Sequence, residues 1–255
     1  MKSIKILALT VGLFFFIPNI WAQKDIQDTT ITIKYITANY GFHFPGGDLA
    51  ERFGPASTIG AGFGYKTDAN WLWEFNADFL FGNVLREPDF MENLYTSQDH
   101  IIDAEGIFSQ ITPSERGGMF NARVGKIFPV FGPNPNSGIQ ISVSPGIMYH
   151  KIHIEVDNNN APQLIDDYKK GYDRLTFGYN LEEFIGFIHF DNSNLFNFYG
   201  GFEFRQAITK SIRAFDFDKM SSDNKQRIDL MYGIRVGWMI PIFREKRAVE
   251  EFIYY

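Results

Sequence analysis

Residues 71–82 read WLWEFNADFLFG, and the class of this chain turns on them. Seven of the twelve are Trp, Leu or Phe, yet Glu74 and Asp78 sit among them. A buried carboxylate without a partner is costly, so a soluble core strand should not carry two. Successive side chains of a strand point to opposite faces. Trp71, Trp73, Phe75, Ala77, Phe79 and Phe81 therefore share one face, and Leu72, Glu74, Asn76, Asp78, Leu80 and Gly82 the other. One face is an aromatic wall and the other is mostly polar.

The pattern recurs along the chain. It is read over 31–44, 57–65, 119–128, 139–150, 174–190, 196–206 and 228–240, which with 71–82 makes eight strands. In 31–44, Ile36, Ala38, Tyr40, Phe42 and Phe44 oppose Tyr35, Thr37, Asn39, Gly41 and His43. In 228–240, Ile228 through Ile240 alternate with Asp229, Gly233, Arg235 and Gly237. The phase of 174–190 is ambiguous around Glu182 and Glu183, which suggests a bulge. Short turns at 66–70, 129–138 and 191–194 alternate with long loops at 45–56, 83–118, 151–173 and 207–227.

Eight strands, most of about the 9–11 residues that a tilted strand needs to cross a bilayer, predict an all-β fold. The expected architecture is an eight-stranded antiparallel up-and-down transmembrane β-barrel, with rings toward lipid and charges inside. A secreted sandwich or lipocalin-like barrel with its aromatics inside is the alternative. It would have to pack six or seven large apolar residues from each of eight strands into one small core. The even strand number puts both termini with the short turns, on the periplasmic side of an outer membrane.

Composition narrows the reading further. The 255 residues include 27 Phe and 12 Tyr, 17% aromatic in all, and no Cys. The lack of Cys excludes disulfides, thiolate metal sites, a Cys nucleophile and a lipoprotein anchor. Lys2 and Lys5 precede the apolar run ILALTVGLFFFI and then Ala22, the order of a secretory signal cleaved after residue 22. The barrel is then expected over 23–243, with a periplasmic tail at 244–255. The formal charge is −6, or −8 once Lys2 and Lys5 are removed, which excludes a nucleic-acid partner.

Glu74, Asp78, Arg123, Glu203, Arg205, Asp229 and Arg235 are the inward charged candidates, joined by Glu182 if its phase holds. A lumen of eight strands is just wide enough for side chains to fill it, so these charges predict a salt-bridged plug rather than a pore. Catalysis by Glu74 and Asp78 has no route for substrate. His43 and His150 fall near the long-loop rim, where a rim enzyme would carry its His, but the sequence pins no Ser or Asp beside either. His150 and His153 face opposite sides, which is poor for a shared metal. Asp99, Asp103 and Glu105 are acidic enough to suggest a divalent cation, though a solvated face explains them as well. No catalytic residue, cofactor or metal site is assigned.

The loop at 83–118 is too long for a mere connector. Pro88–Leu94 reads as the start of a short helix, while 156–163 and 215–227 read as ordinary polar loops. Ile101, Ile102, Ile107, Phe108 and Ile111 suggest a segment that folds over the barrel mouth or docks on a partner. Phe252, Tyr254 and Tyr255 end the tail and are candidates for the same role.

The segments KIFPVFGPNPNSG (126–138), YKKGYDRLTFG (168–178) and RIDLMYGIRVGWMIPIF (227–243) resemble those of small outer-membrane barrels of Bacteroidota. The general architecture is similar to OmpA-type and OmpW-type barrels, without a peptidoglycan-binding domain. The resemblance implies contact with outer-membrane lipid and lipopolysaccharide. It also implies a place as an accessory subunit of an envelope machine, such as the β-barrel assembly machinery or the type IX secretion apparatus. A stand-alone surface barrel, a small channel and a rim enzyme are the other readings.

Overall fold

The computed structural model describes residues 26–242 apart from 27, 89, 98–99, 157–160, 165 and 192–195. The signal segment 1–22, the tail 244–255 and with it Phe252, Tyr254 and Tyr255 lie outside the described residues, as does Asp99.

Eight strands form one closed sheet: β1 (Ile33–Gly47), β2 (Ala56–Lys66), β3 (Trp71–Gly82), β4 (Ile111–Phe128), β5 (Gly138–Val156), β6 (Thr176–His189), β7 (Phe198–Ser211) and β8 (Gln226–Ile242). Each pairs antiparallel with the next, and β8 returns to β1 in a register from Lys34↔Ile242 to Gly47↔Asp229. Closure leaves no unpaired sheet edge, the condition for a sheet to stand in hydrocarbon. The register on both sides of β6 runs without a bulge, so the expected irregularity around Glu182 and Glu183 is absent. The two glutamates take the regular alternation, Glu182 inward and Glu183 outward.

The wall is apolar outside. Phe75 and Phe202 are each 70% exposed, and Trp73, Phe120, Ile185 and Ile234 are exposed with them. A belt of this kind excludes the lipocalin-like arrangement, in which the rings would be buried.

The alternation inverts at the loop end. Above Tyr149, β5 turns Lys151, His153 and Glu155 outward and buries Ile152, Ile154 and Val156. The same inversion begins on β4, where Ile111 is buried and Thr112 exposed. These strands thus run beyond the apolar belt as water-facing β-structure. The loops are correspondingly shorter than expected: β4 begins at Ile111 rather than near 119, and β5 continues to Val156.

Apolar clusters close both ends of the lumen. At the turn end, Ile26 and Ile31 lie beneath Tyr35, Leu72, Ile127, Ile188, Phe190 and Met239. Asn136 pins this floor, accepting from the Ile31 amide at 2.9 Å and donating to the Ile26 and Thr29 carbonyls at 2.9 and 2.8 Å. Buried Lys66 donates to the Ile31 carbonyl and to Asn136 Oδ1 at 3.0 and 2.8 Å. At the loop end, Leu49 and Phe53 join Met91, Ile101, Ile152, Leu164 and Tyr172 in a lid. Leu49 belongs to a single helical turn, α1 (Asp48–Arg52). The stretch expected to start a helix forms only a 3-10 turn at Glu92–Leu94.

Candidate functional site

Between floor and lid lies a buried charged layer. Arg123 bridges Glu74 at 3.0 Å and Glu182 at 2.6 Å. Arg205 pairs with the other oxygen of Glu182 and with Glu203, the latter at 3.1 Å. Arg235 pairs with Glu203 and holds Asp78 at 3.1 Å. Four carboxylates thus meet three guanidiniums, and His43 lies 3.2 Å from the Glu203 carboxylate. Neutral side chains add further hydrogen bonds. Asn39 accepts from Arg235 at 2.8 Å, Asn121 and Asn180 accept from Arg205 at 3.0 and 2.9 Å, and the Tyr35 hydroxyl donates to Glu74 at 2.8 Å. The Arg123 guanidinium also stands over the Phe184 and Tyr199 rings, 5.5 and 5.9 Å from their centroids.

Space for this layer comes from small residues opposite the long ones. A Cβ on Gly60 would meet Asp78 Oδ1 at 1.9 Å and the Ala77 carbonyl at 2.7 Å, and one on Gly64 would meet the Tyr35 ring at 2.1 Å. The glycines of β2 therefore serve the charges and the ring of β3 and β1.

Of the seven inward charges read from sequence, six join this network together with Glu182. Asp229 stands apart, nearer the loop end. It lies 3.1 Å from His150 Nε2 and accepts from Thr209 Oγ1 at 2.5 Å. Both rim histidines thus have acid partners that the sequence did not pin, Glu203 for His43 and Asp229 for His150. Neither pair faces solvent: His43 is 1% exposed and His150 0%. The Phe53 ring sits edge-on to His150, 5.6 Å between centroids. Thr209 donates to Asp229 rather than to His150, so the trio lacks a nucleophile activated by its imidazole.

The lid is tied by ion pairs. Arg174 reaches Glu87, Asp216 and Asp218, the last at 2.8 Å, and Arg52 reaches Glu87 at 2.7 Å. Arg213 holds Asp173 at 2.5 Å and Arg227 holds Asp223 at 2.5 Å. The stretch 215–227, expected to be an ordinary polar loop, supplies three of these acids. Asp48 accepts from the Ile228 amide at 2.7 Å and from Lys225 at 2.9 Å. The Ile228 amide, and then Lys225, hold the Asp48 carboxyl below its ordinary value of 3.8. Because the folded value is the lower one, this tether is fully present above pH 3.8 and is lost as pH falls through the folded value. Proteolysis of the lid by an acid-stable protease is expected to speed up in that acid window, and less so for Asp48→Asn, which has already lost the charge.

One segment of the lid projects from it. Ile101–Ile102 pairs with Phe108–Ser109 as a small hairpin. Its turn is built on Asp103, whose carboxylate accepts from the Glu105 and Ile107 amides at 2.9 and 2.8 Å. Asp103 therefore serves the turn, and among the described residues no acidic or His cluster suited to a metal ion occurs. Of the candidate partner-binding residues, Ile101 is buried in the lid and unavailable, as is Ile111 at the start of β4. Ile102, Ile107 and Phe108 are 46%, 59% and 57% exposed, with the His100 ring against Phe108 at 5.5 Å.

No protein-family model matches the chain, and no curated protein matches it. Among solved structures, the barrel is similar to Ail, the attachment invasion locus protein of Yersinia pestis, at 8% identity over 82% of this chain and 99% of that one, with a TM-score of 0.40. It is also similar to the outer membrane protein OprG from Pseudomonas aeruginosa, at 13% identity over 85% and 99%, with a TM-score of 0.33. The class that its own geometry defines is a closed, filled eight-stranded barrel with an apolar outer wall.

Proposed function

We propose that this chain is a non-catalytic barrel of the outer membrane that serves as an accessory subunit of a complex there. The long-loop end is extracellular and both termini are periplasmic. The exposed hairpin 101–109 carries the reading. Other lid loops also expose large apolar groups, Tyr168 and Met220 among them, but Ile102, Ile107 and Phe108 gather on one short hairpin whose turn is already stiffened by Asp103. An ordered apolar knuckle of this sort fits a partner's pocket with little ordering cost. The aromatic tail residues Phe252, Tyr254 and Tyr255 are the corresponding periplasmic candidates. A barrel-assembly or type IX secretion machine is the kind of complex that the resemblance to small Bacteroidota barrels implies.

The test is purification of the tagged chain from native membranes in gentle detergent. Ile102→Asn combined with Phe108→Ser should reduce the stoichiometric co-purifying protein by about tenfold or more, the usual effect of losing a buried apolar anchor. The variant should keep heat-modifiable migration as a folded barrel. Equal recovery of the partner would sink the proposal.

A small channel is the alternative. The charged layer and both apolar clusters fill the lumen, so the pure protein is expected to give no nanosiemens steps in a planar bilayer. Such steps would favour the channel instead.

A further inference from the structure

Glu183 sits at the middle of β6 and points outward. Phe177, Tyr179 and Leu181 precede it on the same face, and Ile185 and Phe187 follow. Its cross-strand neighbours are Val143 and Phe204. The other outward charged or His residues on the barrel strands, Lys34, Lys126, Arg116, Lys151, His153, Glu155, His189 and Lys210, all lie toward strand ends. Among the described residues, Glu183 is the one Asp, Glu, Lys, Arg or His at mid-height of the outer wall. It opens into a shallow groove of about 670 Å³ lined by Phe44, Ile141, Ile185, Phe202 and Tyr232.

Within the molecule this carboxylate is half satisfied. Gln206 Nε2 donates to Oε1 at 2.8 Å, while Oε2 is out of reach of water and has no hydrogen-bond partner. Acyl chains can offer it no donor, and ionisable groups inside a membrane face partners rather than lipid. The neighbouring Glu182 shows how the barrel treats a carboxylate it keeps for itself, with three arginines around it. A second copy of this chain would bring no cation to the same height, because its outward Lys and Arg side chains lie near the rims.

We propose that the outer face of β5–β8 around Glu183 is a lateral interface for a different membrane-embedded protein, which places a Lys or Arg in this groove. The inference rests on the bilayer placement proposed above but not on the hairpin. Charge complementarity selects the occupant: an apolar groove with a single acid at mid-depth that has no cationic partner fits a long basic side chain whose stem lies along the rings and whose head meets the carboxylate once the Glu183 side chain turns toward the groove.

The experiment places a photo-cross-linking benzoylphenylalanine at Phe204, beside Glu183, and a control at Phe75 on the far side of the barrel, in living cells. The Phe204 position should give one discrete protein adduct whose cross-linked peptide carries a membrane-embedded Lys or Arg, and the Phe75 position should give lipid adducts alone. Glu183→Leu should lower the adduct yield about tenfold or more, as expected on truncating one partner of a desolvated charge pair. Glu183→Lys should abolish it, and converting the partner's basic residue to Glu should restore it. Heat-modifiable migration checks that each variant is a folded barrel. An adduct of twice the chain's mass, lipid adducts alone at Phe204, or a yield indifferent to Glu183→Leu would each overturn the proposal. Loss of lipid adducts at Phe75 as well would instead show that the bilayer placement itself has failed. The hairpin variant should leave the Phe204 adduct in place, which separates the two surfaces.

Discussion

Replacing Arg235 by Met is expected to cost the barrel about 3–5 kcal/mol, the range for breaking a buried ion pair by removing one partner. Arg235 is wholly buried and joins Glu203, Asp78 and Asn39. Met roughly fills its volume, so packing alone would lose little. The cost comes from Glu203 and Asp78, which are left in a dry layer with fewer donors than lone pairs. Removing the acid side as well should therefore recover part of the loss: Arg235→Met with Asp78→Asn is expected to be more stable than Arg235→Met alone. Urea unfolding of the protein in vesicles, followed by heat-modifiable migration, reads both variants. An Arg235→Met barrel within about 1 kcal/mol of the parent would show that water reaches the layer, since a hydrated ion pair is worth no more than that. The filled-lumen reading would then be wrong.

The same layer shows what the sequence discloses. Parity alone places Glu74, Asp78, Arg123, Glu203, Arg205 and Arg235 inside, because each alternates with large apolar neighbours on a regular strand. Parity gives the face but not the height, so Asp229 could not be told from the others, although it pairs with His150 instead of with an arginine. The acid partners of the two histidines are 160 and 79 residues away from them in sequence and meet only through barrel closure. Glu182 and Glu183 look irregular in the sequence for a physical reason: a carboxylate on the lipid face mimics a phase shift, whereas the strand is regular and the residue is the exception. The sequence pattern overstates the loops because β4 and β5 leave the apolar belt and invert their alternation, polar outward and apolar inward. A search for one fixed pattern ends where the solvent changes, and the strand does not. The lid pairs of Arg174 and Arg213 join loops distant in sequence and leave no periodic trace.

The second large effect is expected on the wall. Phe75→Arg should cost about 2–4 kcal/mol if the belt stands in hydrocarbon, as measured for cations near the midplane of membrane barrels. Phe75 is 70% exposed, points away from the charged layer and lies opposite Phe63 and Ala122 on the adjoining strands. In water the same change would replace an exposed ring by a soluble side chain and cost almost nothing. The sign and size of this one substitution therefore separate a membrane wall from a water-exposed one without reference to any partner. Moving the arginine to Trp71, at the turn end beside Lys126, should shrink the penalty toward about 0–1 kcal/mol, because a cation near the interface reaches the headgroups. The Lys126 ammonium already stands 5.0 Å from the Trp71 ring centroid and donates to the Ala69 carbonyl at 2.9 Å, so that rim accommodates a cation. A penalty that falls from Phe75 to Trp71 would trace the depth profile of a bilayer, whereas equal values at the two positions would contradict the membrane placement on which the lateral Glu183 interface depends.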